Sequence, residues 1–338
     1  GPGGARIVLR QQDVDLGILE TARGGLLRHG LGVMKADAAL ITNIAEDHLG
    51  DFGSQNLGEL LNVKWIISRA VETSGSLILN ADDTLLVAKS AEFPGVVVWF
   101  TLNPDNPTVK EHTANGGLAF VLDGDSLLRV DGDSIEEICK SAEIPIALDG
   151  VASHNIANAL AAAALTHCLG IPMPDIHEGL TSMSQDNNPG RSNVYSISDF
   201  KVLVDFAHNP HAMKALFNMA HALPAKRRLL AFAQAGDRTD ESIRELARSA
   251  WSIGLDKVVV SELEAYARGR SRGEVFGIIR DELINCGARK DQIQHFMEET
   301  ESLDAALDWA QPGDLIIMLA LSDREAIQDK LKSLSSPR

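Results

Sequence analysis

The sequence of 338 residues has few cysteines, no long apolar run and a shortage of basic residues. Cys139, Cys168 and Cys286 are far apart and form no CxxC pair. This spacing argues against a disulfide framework or a cysteine zinc site, and it favours a reducing compartment. No apolar run approaches the roughly 18 residues that a membrane span needs. We therefore expect a cytoplasmic protein with no membrane partner.

The charge balance excludes a further class of partner. The chain has 31 Lys and Arg residues against 47 Asp and Glu residues, which gives a net charge of −16. A chain of this charge repels a phosphate backbone, so we do not expect it to bind nucleic acid. The 45% apolar fraction is ordinary for a globular protein.

Several catalytic motifs are also missing. There is no GxGxxG, GxSxG or HExxH, so hydride transfer, serine hydrolysis and zinc proteolysis have no support. There is no GxxxxGK[ST] either, so this chain alone cannot build a P-loop for a triphosphate. The first residues, GPGGARIVLR, have no starting Met and no signal-peptide core, which is compatible with a processed or truncated chain.

Short β-branched runs alternate with helical patterns, which predicts a largely parallel α/β architecture. In the first half, two apolar runs around an Asp-Gly turn at 118–130 predict a hairpin, and the Ala-rich stretch 151–169 predicts a buried helix capped by Ser153. The strands predicted before the hairpin are Leu16–Leu19, Ala38–Thr42, Leu77–Leu79 and Val96–Phe100.

The polar stretch 184–190, SQDNNPG, predicts a linker. The alternation of strands and helices beyond it is typical of a Rossmann-like domain. We therefore predict domains at 1–187 and 188–338. The strands predicted in the second half are Val202–Phe206, Leu229–Ala233, Lys257–Ser261, Gln294–Met297 and Leu315–Leu319.

Polar side chains follow the first two predicted strands. Glu20 comes after the first, and Asn43, Glu46, Asp47 and His48 come after the second. Oxygen ligands with one imidazole suit magnesium or manganese better than zinc. Glu20 alone could instead be a helix cap, and His48 alone a structural histidine, but two neighbouring strand ends would bring both within reach of one ion.

Lys64 lies one predicted helix later, among Val63, Trp65 and Ile66. A single lysine on a helix usually faces solvent, but these apolar neighbours favour a half-buried position. The pKa of a buried lysine shifts readily, which suits a functional group.

The second half carries further candidates at strand ends. Asp205, His208 and Asn209 fall within five residues after one apolar strand, a pattern that packing does not explain. Arg191 directly follows the linker, where a guanidinium could bind phosphate oxygens or simply lie on the surface. Four arginines follow later strands and suggest an anionic ligand or polymer end in so acidic a chain; they are Arg238, Arg268, Arg270 and Arg272.

Together these motifs resemble the ATP-dependent Mur ligase superfamily, and more narrowly the Mur-ligase-like half of cyanophycin synthetases. TNI and DHL at 42–49, HNIAN at 154–158 and DFAHNP at 205–210 are typical of Mur ligases broadly. ETARGG at 20–25, NPDNP at 103–107 and RGRSRGE at 268–274 are similar to cyanophycin synthetases. The resemblance extends from about residue 4 to beyond residue 320.

The resemblance implies an α/β fold, in which a Mur ligase central domain, with a mostly parallel sheet and a hairpin, precedes a Rossmann-like C-terminal domain. It implies ATP-dependent amide bond formation through an acyl phosphate, with an amino acid such as arginine and an acidic peptide or polymer as substrates. It implies ATP and Mg²⁺ as cofactors. The sequence leaves the oligomeric state open, with a homo-oligomer as one alternative. The resemblance assigns magnesium to Glu20 and His48, and a catalytic role to Lys64, which matches the lysine that many Mur ligases carbamylate to help bind a second ion; the sequence leaves carbamylation here open. It places nucleotide contacts at Asn155, Asn158, Arg191 and Asp205, and the reacting phosphate near His208 and Asn209. The amino acid or polymer end would lie near Arg238, Arg268, Arg270 and Arg272.

Two departures from the family pattern affect these expectations. Phe206 replaces the tyrosine that is usual in the DxAHNP segment, which removes a hydroxyl and keeps the ring. In the family the P-loop lies upstream of GPGGAR, so we expect this chain alone to be weak or inactive as a ligase. The alternative is a non-catalytic Mur-like module that binds a peptide, polymer or partner chain, although the full set of metal and nucleotide residues argues against it.

Overall fold

The computed structural model describes residues 2–45, 56–207 and 209–335. The chain forms two compact units, Gly1–Met183 and Ser184–Arg338. Each unit is built on its own six-stranded sheet. The predicted boundary between residues 187 and 188 lies just beyond this division.

The first unit is an α/β layer structure whose sheet has the order β1-β2-β3-β4-β5-β6. Strands β1 to β4 are parallel, and β4, β5 and β6 form an antiparallel meander. The predicted parallel sheet with a hairpin is therefore confirmed. The strands are β1 (Ala36–Ile41), β2 (Val71–Asn80), β3 (Val96–Thr101), β4 (Leu118–Asp123), β5 (Ser126–Asp131) and β6 (Ser134–Lys140). The described helices are α1 (Pro2–Val8), α2 (Arg23–His29), α3 (Leu57–Trp65), α4 (Thr84–Ser90), α5 (Pro107–Ala114), α6 (Ser153–Cys168) and α7 (Met173–Ser182).

Both faces of the sheet are buried along much of β2, β3 and β4, which is why these strands read as apolar runs. Leu77 and Leu79 face the cluster that includes α3, whereas Ile78, between them, faces α6. Alanines along α6 allow its backbone to approach the sheet closely, so Ala163 and Ala164 are fully buried. The predicted buried helix is confirmed, but its N-cap is Ala152 and not Ser153.

The predicted strand Leu16–Leu19 is wrong. Residues 14–22 have no regular structure, and the apolar side chains of Val14, Leu16 and Ile18 are exposed. A strand requires a neighbour for its backbone N–H and C=O groups. In the described part of the chain, β1 pairs only with β2, so no ladder reaches this segment. Glu20 consequently follows an irregular segment.

The second unit has a sheet of order β11-β10-β9-β12-β8-β7, in which only β7 is antiparallel to its neighbour. Its strands are β7 (Asn193–Ile197), β8 (Phe200–Asp205), β9 (Arg228–Phe232), β10 (Lys257–Ser261), β11 (Ile293–Phe296) and β12 (Leu315–Leu319). Its helices are α8 (Pro210–Ala222), α9 (Asp240–Trp251), α10 (Glu274–Asn285), α11 (Glu299–Trp309) and α12 (Arg324–Leu334). This arrangement confirms the Rossmann-like prediction.

The direction of the chain across this second sheet reverses once. It runs outward from β8 through β9 and β10 to β11, and then returns to insert β12 between β9 and β8. Right-handed crossovers that run in opposite directions place their helices on opposite faces. Helix α11 belongs to the returning crossover, and α12 follows the last strand. The two helices share one apolar core, to which Leu303, Ala306, Ile327 and Leu331 contribute. The carboxyl ends of β8, β12 and β9 therefore form a topological switch point, where ligands bind in open α/β sheets.

In residues 2–45, 56–207 and 209–335 no helix is both long and apolar enough to cross a membrane.

Candidate functional site

The loops at the carboxyl ends of β1, β2 and β3 are joined by side-chain hydrogen bonds. Oδ2 of Asp83 accepts from the backbone N–H of Ile44 at 2.6 Å, and the amide of Asn80 donates to the carbonyl of Thr42 at 3.0 Å. Asp82 accepts from the hydroxyl of Thr101 at 2.5 Å. The NADD segment thus fixes three strand ends relative to one another.

Lys64 lies beside this network. Its Nζ donates to the carbonyl oxygen of Asn43 at 3.0 Å, so the ammonium group lies at the end of β1. The residue is half-buried, as its apolar neighbours predict. Helix α3 is oriented by its N-cap Asn56, whose side chain accepts from the N–H of Glu59. Lys64 is therefore a positioned cation at a sheet edge and not a free surface lysine.

The two predicted magnesium ligands have different outcomes. Glu20 is exposed and lines a cleft of about 210 Å³ with Thr21, Ile18 and residues of α1 and α2. Its carboxylate oxygens are of the kind that Mg²⁺ prefers. His48 lies outside the described residues, as do Glu46 and Asp47. Within the described ranges, no three His, Cys, Asp or Glu side chains converge on a common point.

The two asparagines of α6 have unlike environments. Asn155 is buried, and its amide nitrogen donates to the carbonyl of Ile146 at 2.7 Å. This bond secures the turn that precedes α6. Asn158, one helical turn later, is exposed. The amide of Asn158 is therefore accessible to a ligand, whereas Asn155 is buried and one of its two amide N–H donors is bound to Ile146.

In the second unit, the buried carboxylate of Asp205 stands at the end of β8. Its Oδ2 accepts from the backbone N–H of Ser192 at 2.7 Å and from the hydroxyl of Ser192 at 3.1 Å. Arg191 is therefore held next to this strand end, with its guanidinium carbon 5.3 Å from the centre of the Phe206 ring. The structure therefore brings Arg191 and Asp205 to the same strand end.

Asn193 organises the same loop, although sequence reasoning missed it. It is almost fully buried, and its Oδ1 accepts from the N–H of Gly190 at 2.5 Å. Its amide nitrogen donates to the carbonyls of Asn188 and Arg191 at 3.1 and 3.3 Å. The sequence does place Asn193 two residues after the PGR segment. Asparagine side chains commonly bond to nearby backbone groups, so this position could have identified it as the residue that organises the loop.

Asn209 has a structural bond in this structure. It is the N-cap of α8, and its Oδ1 accepts from the N–H of Ala212 at 2.8 Å. Such caps leave the amide nitrogen available to another partner. His208 lies outside the described residues.

The four candidate arginines divide into distinct roles. Arg270 is largely buried, and it donates to the carbonyls of Gly236 and Arg238 at 2.9 and 2.8 Å, as well as to the carboxylates of Asp240 and Glu274. Arg270 therefore joins the loop that follows β9 to the loop that follows β10. Its guanidinium N–H groups are largely used by these bonds, so few remain for a ligand.

The other three of these arginines lie nearer to solvent. Arg272 pairs with Glu264 at 3.3 Å, and the guanidinium of Arg268 lies 5.7 Å from the centre of the Tyr266 ring. Arg270 donates to the backbone carbonyl of Arg238 at 2.8 Å. This bond fixes the backbone from which the Arg238 side chain extends. Arg238 and Arg268 are thus better placed than Arg270 to contact a ligand directly.

Gly236 is required for the two loops to meet. A Cβ atom here would lie 2.0 Å from the carbonyl oxygen of Ala267, which is backbone and cannot rotate away. We expect Gly236→Ala to destabilise the second unit by about 2–3 kcal/mol, because overpacking forces the backbone apart. Gly277→Ala, in α10, meets no atom within 4 Å and should be neutral or slightly stabilising. Urea unfolding of both variants tests the prediction, and equal effects would contradict it.

Two family models match the chain along nearly its whole length: the Mur ligase middle domain over residues 7–166, and the Mur ligase, glutamate ligase domain over residues 190–320. Cyanophycin synthetase of Crocosphaera subtropica is 32% identical over 97% of this chain and 37% of its own length. UDP-N-acetylmuramoyl-tripeptide--D-alanyl-D-alanine ligase of Synechocystis is 26% identical over 91% of this chain and 60% of its own length.

The fold comparison agrees with the family models. FolC of Escherichia coli, solved in complex with DHPP and ADP, matches with a TM-score of 0.63 at 19% identity, over 88% of this chain and 62% of that chain. The chain spans just over a third of the length of the cyanophycin synthetases that it matches. The two consecutive domain matches and the shared fold confirm the resemblance read from the motifs, and the chain belongs to the Mur ligase superfamily.

Proposed function

We propose that this chain is part of a cytoplasmic ATP-dependent amide ligase similar to cyanophycin synthetase. In this proposal the enzyme activates a carboxylate of an acidic peptide or polymer as an acyl phosphate and joins it to the amine of an amino acid such as arginine. The identity of 32% over 97% of the chain supports this substrate class. Three unpaired cysteines are compatible with the reducing cytoplasm.

One observation carries the proposal: the buried Asp205 carboxylate holds the backbone of Ser192 and leaves Arg191 beside it at a switch point of the second sheet. No described residue donates to Oδ1 of Asp205, so this oxygen can accept from a ribose hydroxyl. The guanidinium of Arg191 can donate to phosphate oxygens two at a time. The carboxylate of Asp205 thus suits the ribose of a nucleotide, and the cation of Arg191 suits its phosphates.

The first unit carries further candidate groups. Lys64 would stabilise negative charge that develops as the phosphoryl group is transferred, which is the main requirement of such chemistry. Glu20 and His48 would hold Mg²⁺, which neutralises phosphate charge when bound. Asn158 would contact the nucleotide, with Asn155 shaping the turn beneath it.

The second unit would bind the amino acid or the polymer end. Arg238, Arg268 and Arg272 would attract its carboxylates, while Arg270 acts through the loops that it clasps. His208 and Asn209 would lie near the transferred phosphate, the histidine as a proton-carrying group and the asparagine as a donor.

Calorimetric titration with magnesium-ATP tests the proposal. We expect binding by the natural full-length protein and weaker binding by this chain, because it contains no GxxxxGK[ST] motif. ATP without magnesium serves as the control and should bind less tightly. An absence of binding by the full-length protein would overturn the ligase proposal and favour a non-catalytic module. Equally tight binding by this chain would contradict the expected dependence on a P-loop.

A further inference from the structure

Two guanidinium groups lie against one aromatic ring at the end of β8. The guanidinium carbon of Arg324, the first residue of α12, is 4.0 Å from the centre of the Phe206 ring. That of Arg191 is 5.3 Å from the same centre. Two like charges near one ring repel each other, and the ring face compensates for only part of this repulsion. Such a pair is an attractive position for an anion.

The path of the Arg324 side chain is built into the fold. Gly190 has a φ of +77°, and a Cβ atom there would lie 2.7 Å from Cδ of Arg324. The stem of Arg324 therefore passes directly over the glycine of the PGR segment. Gln328, one turn along α12, donates to Oδ1 of Asn193 at 3.4 Å and so joins the helix to the same loop. The guanidinium is held in place before any ligand arrives, which lowers the entropic cost of binding.

The described residues leave the charges of the two guanidinium groups unpaired. Neither Arg191 nor Arg324 forms an ion pair within the described ranges, and the Nε atom of Arg324 is buried without a hydrogen-bond partner. Asp205, the acid next to Phe206, uses its Oδ2 to bind Ser192. By contrast, Arg227 of the same unit pairs with Asp314. A buried donor without a partner costs about 1–3 kcal/mol, and no described residue offsets this cost.

The position in the sheet agrees with ligand binding. Phe206 follows β8, Arg324 follows β12, and these two parallel strands are neighbours. The chain leaves them towards opposite faces of the sheet, which opens a crevice at their carboxyl ends. The two arginines border this crevice from separate connections.

We propose that Arg324, together with Arg191, binds the anionic end of a ligand, a phosphate chain or a carboxylate, with Phe206 as the platform that orients both guanidinium groups. This extends the proposed nucleotide role of Arg191 to a residue 133 positions away (324 − 191 = 133). It concerns binding alone, so it holds or fails independently of catalytic turnover.

Calorimetric titration of this 338-residue chain with two probes, sodium tripolyphosphate and N-acetyl-aspartate, tests the inference. We expect the wild type to bind at least one probe, and Arg324→Gln to weaken that binding by about tenfold to a hundredfold, since a charge-assisted hydrogen bond contributes roughly 1.5–3 kcal/mol. Loss confined to tripolyphosphate identifies a phosphate ligand, and loss confined to N-acetyl-aspartate identifies a carboxylate ligand. Arg324→Lys should be intermediate, because lysine cannot fork or stack in the same way.

Arg280→Gln is the matched control. Arg280 also lies over a phenylalanine, 5.7 Å from the centre of the Phe276 ring, but it pairs with Asp281. Its replacement should leave binding of both probes unchanged, and thermal melting should confirm that all variants are folded. Wild-type affinity in Arg324→Gln, or no binding of either probe by the wild type, would overturn the inference.

Discussion

Replacing Glu299 by alanine is expected to lower the stability of the second unit by about 3–5 kcal/mol, although Glu299 has no proposed catalytic role. The carboxylate lies at the start of α11 and is almost fully buried. It accepts from three consecutive backbone N–H groups, those of Leu321, Ser322 and Asp323, at 2.8–2.9 Å. Alanine would leave all three without an acceptor.

The buried position of Glu299 makes it hard to replace. Burial raises the pKa of its carboxyl group, while the three N–H donors act in the opposite direction. Water cannot easily take over in so dry a site. The loop that Glu299 holds leads from β12 into α12 and so carries Arg324. We therefore expect Glu299→Ala to impair both folding and the anion site next to Phe206.

Glu301→Ala provides a control on the same helix. Glu301 accepts from the N–H groups of Met297 and Glu298 at 3.1 and 3.2 Å, but it is exposed, so water can substitute for it. Its replacement should cost no more than about 1 kcal/mol. A loss of 3–5 kcal/mol would lower the melting temperature of a unit of this size by roughly 10 °C. Hydrogen exchange should localise the loosening to 320–324, and equal effects of the two variants would contradict the argument.

Much of the fold follows from local pattern. The strands Lys257–Ser261 and Leu315–Leu319 have the predicted bounds, because short apolar runs between polar turns have few alternatives to a buried parallel strand. The segment 16–19, LGIL, is also a short apolar run, yet it forms no strand. Pairing with a neighbour decides between these outcomes, and a local pattern does not contain that information.

The candidate site shows the same limit. Asp205 and Arg191 are recognisable from sequence, because each belongs to a short motif. Arg324 and Glu299 belong to none, and their roles arise from contacts with residues far along the chain or in another loop. The alternate spacing of the arginines in the RGRSRGE segment predicts one cationic cluster. In the structure, however, Arg270 is largely buried and donates to backbone carbonyls, whereas Arg272 lies at the surface. Spacing predicts neighbours along the chain, whereas side-chain direction depends on the surrounding fold.

Lys64→Met in the natural full-length protein is expected to reduce turnover by about a hundredfold to a thousandfold, the usual effect of removing one group that stabilises transition-state charge. Lys64 is held at the end of β1 by its bond to the carbonyl of Asn43. Methionine keeps the length and apolar stem of lysine, so the packing around Trp65 should survive. We expect the melting temperature to fall by no more than a few degrees, since methionine retains the apolar packing of the lysine stem.

The matched control for this variant is Lys89→Met. Lys89 is a similarly covered lysine at the end of α4, and it pairs with the exposed Glu92. Lys89→Met removes one positive charge from the same unit as Lys64→Met does. If the position of Lys64 matters and the net charge of the unit does not, Lys89→Met should leave turnover unchanged. Lys64→Arg keeps the charge but changes its shape, and partial activity is expected. Turnover in Lys64→Met equal to that in Lys89→Met would contradict the proposed role of Lys64, because removing a cation that stabilises the transferred phosphoryl group lowers the rate.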